Sequence, residues 1–205
     1  MEEIKLSPWL EYADSNSKEI YRVSNQLGNI VNKLNKHGID QLIAVDCGKL
    51  MNNIAEVVSH WTQNTYVGYR KRENLKKAYQ SFYENLYKFL QFFRYTNCGF
   101  YSDLAKESLY QGILYRYLGH GSEIDNIHEK INPEFNNIYV SWSKNKTSTY
   151  LEGKLNGTIT KVTCIVKGNY WGIDLKPLGI VCMGEDEVVF PTIKETISNI
   201  TFIER

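Results

Sequence analysis

The sequence predicts an α+β fold, helices first and a mainly antiparallel β core after them. Two patterns carry that expectation. Up to about residue 110, apolar residues recur at spacings of three and four, the period of one helix face. From Gly112 onward the period moves toward two, and β-branched and aromatic residues cluster between Gly and Asn turns. Helices in one block and strands in the next define the α+β class, not the alternating α/β class.

The helices come first. Asn16-Ser17-Lys18-Glu19 has the form of a capping box, with Asn16 as the cap and Glu19 three residues on. After it Ile20, Val23, Leu27, Ile30, Val31 and Leu34 form one apolar face, and Gly38 is placed to stop the helix. A second helix is expected over roughly Lys49–Gln63, with Met51, Ile54, Val58 and Trp61 facing inward. The third has the longest stripe: Leu75, Tyr79, Phe82, Leu86, Phe89, Leu90 and Phe93. Lys and Glu fill its other face, so the stripe is expected to pack a core. A short helix follows from Ser102 to about Leu109. Strands are expected at Ile113–Leu118, Ile138–Ser141, Ile159–Val166, Trp171–Leu175, Glu187–Phe190 and Thr201–Ile203.

A chain of 205 residues can bury one well-formed core. We expect a single domain over 1–205, with a helical part over 1–110 and a β-rich part over 111–205. The 15 Tyr, 8 Phe and 4 Trp supply large apolar surfaces, which argues against a disordered chain. A net charge of +1 argues against a protein built around non-specific nucleic-acid binding. Four cysteines, at 47, 98, 164 and 182, lack the two-residue spacing of a zinc knuckle or redox motif and are expected to be reduced thiols. No metal-ligand cluster and no dinucleotide glycine fingerprint is visible. No run approaches the ~18 apolar residues of a membrane span, and the first twenty residues lack a signal-peptide core. A cytoplasmic location without membrane contact is therefore expected.

Three segments of the second half carry chemistry. In Ile113-Leu114-Tyr115-Arg116-Tyr117-Leu118, Arg116 is the one charge in an apolar and aromatic strand. Such a charge needs a partner, either a buried acid or a ligand phosphate that suits the guanidinium fork. In Tyr139-Val140-Ser141-Trp142-Ser143, two hydroxyls on alternate positions point to one side of a strand and can orient a carboxylate or a substrate hydroxyl. In Gly184-Glu185-Asp186-Glu187-Val188-Val189-Phe190-Pro191, three acids precede a buried-type strand, with Glu185 and Glu187 on the same side. Paired carboxylates can do acid–base work or stabilise a cation.

In this order, the three segments resemble the Arg-Ser-Glu class of ADP-ribosyltransferases, in particular the toxin-like mono-ADP-ribosyltransferases of bacteria and phages. Gly172-Ile173-Asp174-Leu175 also looks like the strand which that family places before its acceptor-recognition turn. The resemblance covers roughly 108–205. It implies a two-sheet β core of ADP-ribosyltransferase type, with NAD as substrate and no metal. It implies that Arg116 grips NAD phosphate, with Tyr115 beside it. Ser141 would orient the catalytic glutamate and the nicotinamide ribose, with Ser143 in support. Glu187 would be the catalytic carboxylate, and Glu185 the upstream acid that engages the acceptor. The acceptor implied is a macromolecule, a protein arginine first and RNA or DNA as the alternative; water as acceptor would make the enzyme an NAD glycohydrolase. A cognate antitoxin or inhibitor belongs to the same analogy. The chain departs from the family at Tyr117, where many members have Gly, and at Trp142, the middle of the family's Ser-Thr-Ser.

The contrasting reading is a non-catalytic binding module in which Arg116 pairs with a core acid. Two further segments are expected to be structural. Gly119-His120-Gly121-Ser122 reads as a turn. The basic run from Arg70 to Lys77 reads as a solvated helical face, although phosphate contacts with a nucleic acid are its alternative use.

Overall fold

The computed structural model describes residues 8–39, 47–64, 73–118, 139–146, 159–179, 186–191 and 193–203. The chain divides into two compact units, Met1–Ala105 and Lys106–Arg205.

The first unit is built on α1 (Pro8–His37), α2 (Cys47–Asn64) and α3 (Glu73–Arg94). The α1 stripe Ile20, Val23, Leu27, Ile30, Val31 and Leu34 is buried as its spacing requires. Its end is also as expected: Gly38 takes a left-handed φ of 74° and its N–H bonds Leu34 O at 2.9 Å. Its beginning is not. The helix runs through Asn16, because it starts at Pro8, whose fixed φ suits a first turn. Glu19 instead accepts from Arg22, whose Nε reaches both carboxylate oxygens and whose Nη2 reaches Oε1. That contact holds the Glu19 carboxyl below its usual range. In α2 the buried face is Leu50, Ile54, Val57, Val58 and Trp61, and Met51 is only half-buried.

Every residue of the α3 stripe is buried, together with Ala78 and Tyr83. Trp61 of α2 meets Tyr79 and Tyr83 edge-on, with centroids 5.0 and 4.9 Å apart, a favoured aromatic geometry. Polar contacts fix how α1 lies on α3. Ser24 Oγ is 2.8 Å from Ser81 Oγ, and Asn85 Nδ2 donates to Ser24 Oγ at 2.9 Å and to Ser24 O at 3.1 Å.

Helix α4 (Phe100–Ser108) leads into the second unit, a seven-stranded sheet. The strands are β1 (Leu109–Tyr110), β2 (Gly112–Leu118), β3 (Tyr139–Ser143), β4 (Ile159–Val166), β5 (Gly172–Asp174), β6 (Glu187–Pro191) and β7 (Ile197–Ile203). Their order is β1-β5-β6-β3-β2-β4-β7, and every described pairing is antiparallel. The described strands are hydrogen-bonded into one sheet, with β2 paired to both β3 and β4.

Alternation sorts the residues onto two faces. Leu114, Val140, Trp142, Val162, Cys164, Val166, Val188 and Phe190 form the apolar cluster of one face. Trp142 is therefore core, with Nε1 donating to Phe190 O at 3.1 Å. The strands approach closely at Gly172, where an added Cβ would lie 2.5 Å from Val188 Cγ1. Burial drives the Cys164 thiol up to about 11, and its Sγ lies 3.1 Å from Thr196 Oγ1. Cys47, by contrast, is exposed. Since the thiolate is the reactive form, iodoacetamide at pH 8 is expected to label Cys47 in the folded protein and to reach Cys164 only in denaturant. Mass-mapped labelling with and without guanidinium checks this; equal labelling of both in the native state would contradict it. Among the described residues Cys47, Cys98 and Cys164 form no disulfide, and Cys182 lies outside the described residues.

Candidate active site

The opposite face carries Tyr115, Ser141, Ser143 and Glu187, whereas Arg116, in register with Val162, alternates onto the face of Leu114. Tyr115 of β2 is in register with Ser143 of β3, which is in register with Glu187 of β6. Directly opposed residues share a face, so these three form a row across neighbouring strands. Ser141, two residues before Ser143, stands diagonally from Glu187 on the same face. Its hydroxyl donates a short hydrogen bond to Glu187 Oε1. The carboxylate is buried, at 7% exposure, on an otherwise apolar strand. A buried carboxylate requires such a donor.

Arg116 enters from β2. Lys144 N donates to Asp186 O at 3.0 Å, so the hydrogen-bonded pairs of the β3–β6 ladder fall at Lys144, Trp142 and Val140. The backbone groups of Ser141 and Ser143 then face β2. Tyr115 meets Ser143 there, and one step along, the Ser141 carbonyl receives Arg116 Nη1 at 2.8 Å. Arg116, Ser141 and Glu187 thus form one connected chain: guanidinium to the backbone of Ser141, hydroxyl of Ser141 to the carboxylate. The Ser141 carbonyl is thus one partner of the Arg116 guanidinium, beside the acid or phosphate that its fork suits.

The other assigned residues fall as follows. Ser143 is buried and its Oγ accepts Asn145 N at 3.0 Å, closing the turn after β3. The Tyr115 ring is half-buried and carries Lys161 Nζ 4.7 Å from its centroid. Tyr117 shares this face, and its hydroxyl donates to Lys146 O, which Lys161 Nζ also reaches at 2.8 Å. The bulk at Tyr117 therefore fastens the segment after β3. Glu185, His120 and His128 lie outside the described residues, as does the basic run from Arg70 to Arg72. Lys77 of that run pairs with Glu73 at 3.5 Å on a solvated face.

The sequence reading missed an ion pair beside Glu187. Lys144 Nζ lies 2.7 Å from Asp174 Oδ2, with side chains 22% and 10% exposed. Asp174 Oδ1 also accepts Lys176 N at 3.1 Å. No periodic signal marks either residue, since each is a polar group at a strand end. Among the described residues, no group of three or more His, Cys, Asp or Glu could hold a metal ion, and no helix is long and apolar enough to cross a membrane. No family model, curated protein or solved structure matches the chain.

Proposed function

We propose that the chain is a mono-ADP-ribosyltransferase that cleaves NAD at the nicotinamide–ribose bond and transfers ADP-ribose to a macromolecular acceptor, a protein arginine first. One observation carries the reading. Three residues from three separate segments, Arg116, Ser141 and Glu187, meet on three adjacent strands in a single hydrogen-bonded chain. A structural explanation accounts for a bonded Arg or a hydrogen-bonded Ser one at a time; it does not require Arg116 and a buried Glu187 both to meet at Ser141.

The chemistry follows from that carboxylate. The C–N bond to nicotinamide breaks with its electron pair leaving on the ring nitrogen, which becomes neutral. Positive charge builds on the ribose carbon, as it does in glycoside cleavage. Glu187, oriented by Ser141, stabilises this charge and accepts a hydrogen bond from the ribose 2′-hydroxyl. The acceptor nitrogen then attacks the carbon and loses a proton. Arg116 holds the Ser141 backbone and serves NAD phosphate, and Tyr115 lines the same face. Glu185 is assigned to the guanidinium of an acceptor arginine, a pairing that suits a carboxylate. The β core fits the two-sheet ADP-ribosyltransferase type in one respect. Its halves β1-β5-β6-β3 and β2-β4-β7 join, among the described residues, at the single pair Tyr115↔Ser143.

The test is transfer from labelled NAD in a cell lysate, followed by protease or nuclease digestion. Label released by protease and lost when arginine side chains are blocked is the expected result. Release by nuclease would move the acceptor to RNA or DNA, and free ADP-ribose alone would make the enzyme a glycohydrolase. No NAD consumption, with no NAD-induced rise in melting temperature, would sink the reading.

A further inference from the structure

The ion pair between Lys144 and Asp174 has a position that stability does not explain. Lys144 directly follows β3, and Asp174 ends β5. These two strands flank β6 on either side. Their backbones are therefore roughly 9.6 Å apart, two strand spacings, and the 2.7 Å contact bridges that gap across the start of β6. Asp174 is in register with Val188, whose side chain belongs to the apolar face, so the bridge passes on the side away from the Glu187 carboxylate.

Two backbone bonds hold the same point from both sides. Lys144 N donates to Asp186 O at 3.0 Å, and Leu175 N donates to Glu187 O at 3.1 Å. The residues that anchor the backbone of Asp186 and Glu187 are thus Lys144 itself and the neighbour of Asp174. The Asp174 carboxylate is fixed in turn, one oxygen on Lys144 Nζ and the other on Lys176 N. A largely shielded ion pair adds little net stability, because desolvation offsets its attraction. What it supplies is a fixed separation between β3 and β5, and with it a fixed height and angle for Glu187.

We propose that Lys144 and Asp174 are positioning residues that strap the start of β6 and hold the Glu187 carboxylate at the distance the ribose carbon requires. This rests on the transferase reading of the site. It assigns a role in turnover to two residues that touch no reacting atom.

The experiment measures NAD consumption by the wild type, Asp174→Glu, Lys144→Met and Lys144→Arg, with kcat and KM resolved and melting followed in parallel. Asp174→Glu keeps the charge and the pairing but changes the reach by one methylene. Misplacement by about 1 Å can cost up to ~100-fold in rate. We expect Asp174→Glu and Lys144→Met each to lower kcat by about tenfold or more with KM within about twofold, and Lys144→Arg to recover most of the loss. A merely structural pair would lower the melting temperature and leave kcat of the folded fraction unchanged; that result, or a loss confined to KM, would overturn the proposal. An inactive wild type that also shows no NAD-induced melting shift would bring down the transferase reading first, and the strap with it. Active wild type with equally active variants would remove the strap alone.

Discussion

Glu187→Gln is expected to slow NAD turnover by about 100- to 1,000-fold, the usual loss when a preorganised group facing transition-state charge is removed, while NAD binding stays within about a factor of three of wild type. The substitution isolates charge from shape. Gln has the size of Glu and keeps an oxygen where Oε1 accepts the Ser141 hydroxyl. The fold of β6 and the row Tyr115–Ser143–Glu187 should be retained. What disappears is the negative charge opposite the ribose carbon as the nicotinamide leaves. Ground-state NAD has not yet developed that charge, so binding changes little and kcat changes most. Two measurements check the prediction. Release of nicotinamide from labelled NAD reports turnover, and the NAD-induced melting shift reports binding; a ligand at 100 times its dissociation constant contributes about 2.7 kcal/mol. Wild-type turnover in Glu187→Gln would mean that the carboxylate is structural. Loss of binding and turnover together would mean that the bond from the ribose 2′-hydroxyl holds ground-state NAD as firmly as the transition state, and that the carboxylate's charge does not act selectively on the latter.

How much of this arrangement was legible in the sequence depends on the range over which the signal acts. The stripes of α1 and α3 were legible because a single amphipathic helix writes its own pattern, and each stripe residue is buried. The strands β2, β4 and β6 were placed nearly to the residue for the same reason. Strand β1, two residues long, writes no period, and β7 starts four residues before its apolar end, in Ile197-Ser198-Asn199-Ile200, where polar residues hide the alternation. The capping box at Asn16 was a local pattern overridden by a helix that had already begun. The site itself divides in the same way. Arg116 and Ser141 stood out as residue types in unusual company. Their meeting with Glu187, 46 residues beyond Ser141, depends on strand order, which no local pattern encodes. The Lys144–Asp174 pair is the extreme case. Charged residues at strand ends are ordinary, and only the sequence of neighbours β5-β6-β3 turns these two into a bridge.

Arg116→Met should do what Glu187→Gln does not, and harm fold, binding and turnover together. The Ser141 carbonyl faces β2 and loses its guanidinium donor, and a bond to a charged group of this kind contributes about 1.5–3 kcal/mol. With the donor gone, Ser141 is free to shift, and its hydroxyl no longer presents Glu187 at a fixed angle. The phosphate contact assigned to the same guanidinium is lost as well. We therefore expect kcat/KM to fall by about 100-fold or more, divided between a higher KM and a lower kcat, with the unfolding midpoint lowered in parallel. Arg116→Lys separates the components. An ammonium retains the charge for phosphate but lacks the planar fork, so it cannot serve two oxygens in fixed directions. It should recover part of KM and little of kcat. Stopped-flow NAD binding, steady-state kinetics and urea unfolding on the three proteins give the partition. If Arg116→Met loses stability and nothing else, Arg116 is a buttress of the β2–β3 junction, and the phosphate of NAD must be held elsewhere. If Arg116→Lys matches wild type in kcat, the Ser141 carbonyl does not need the fork, and the connected chain from guanidinium to carboxylate is not what sets the geometry of the reaction.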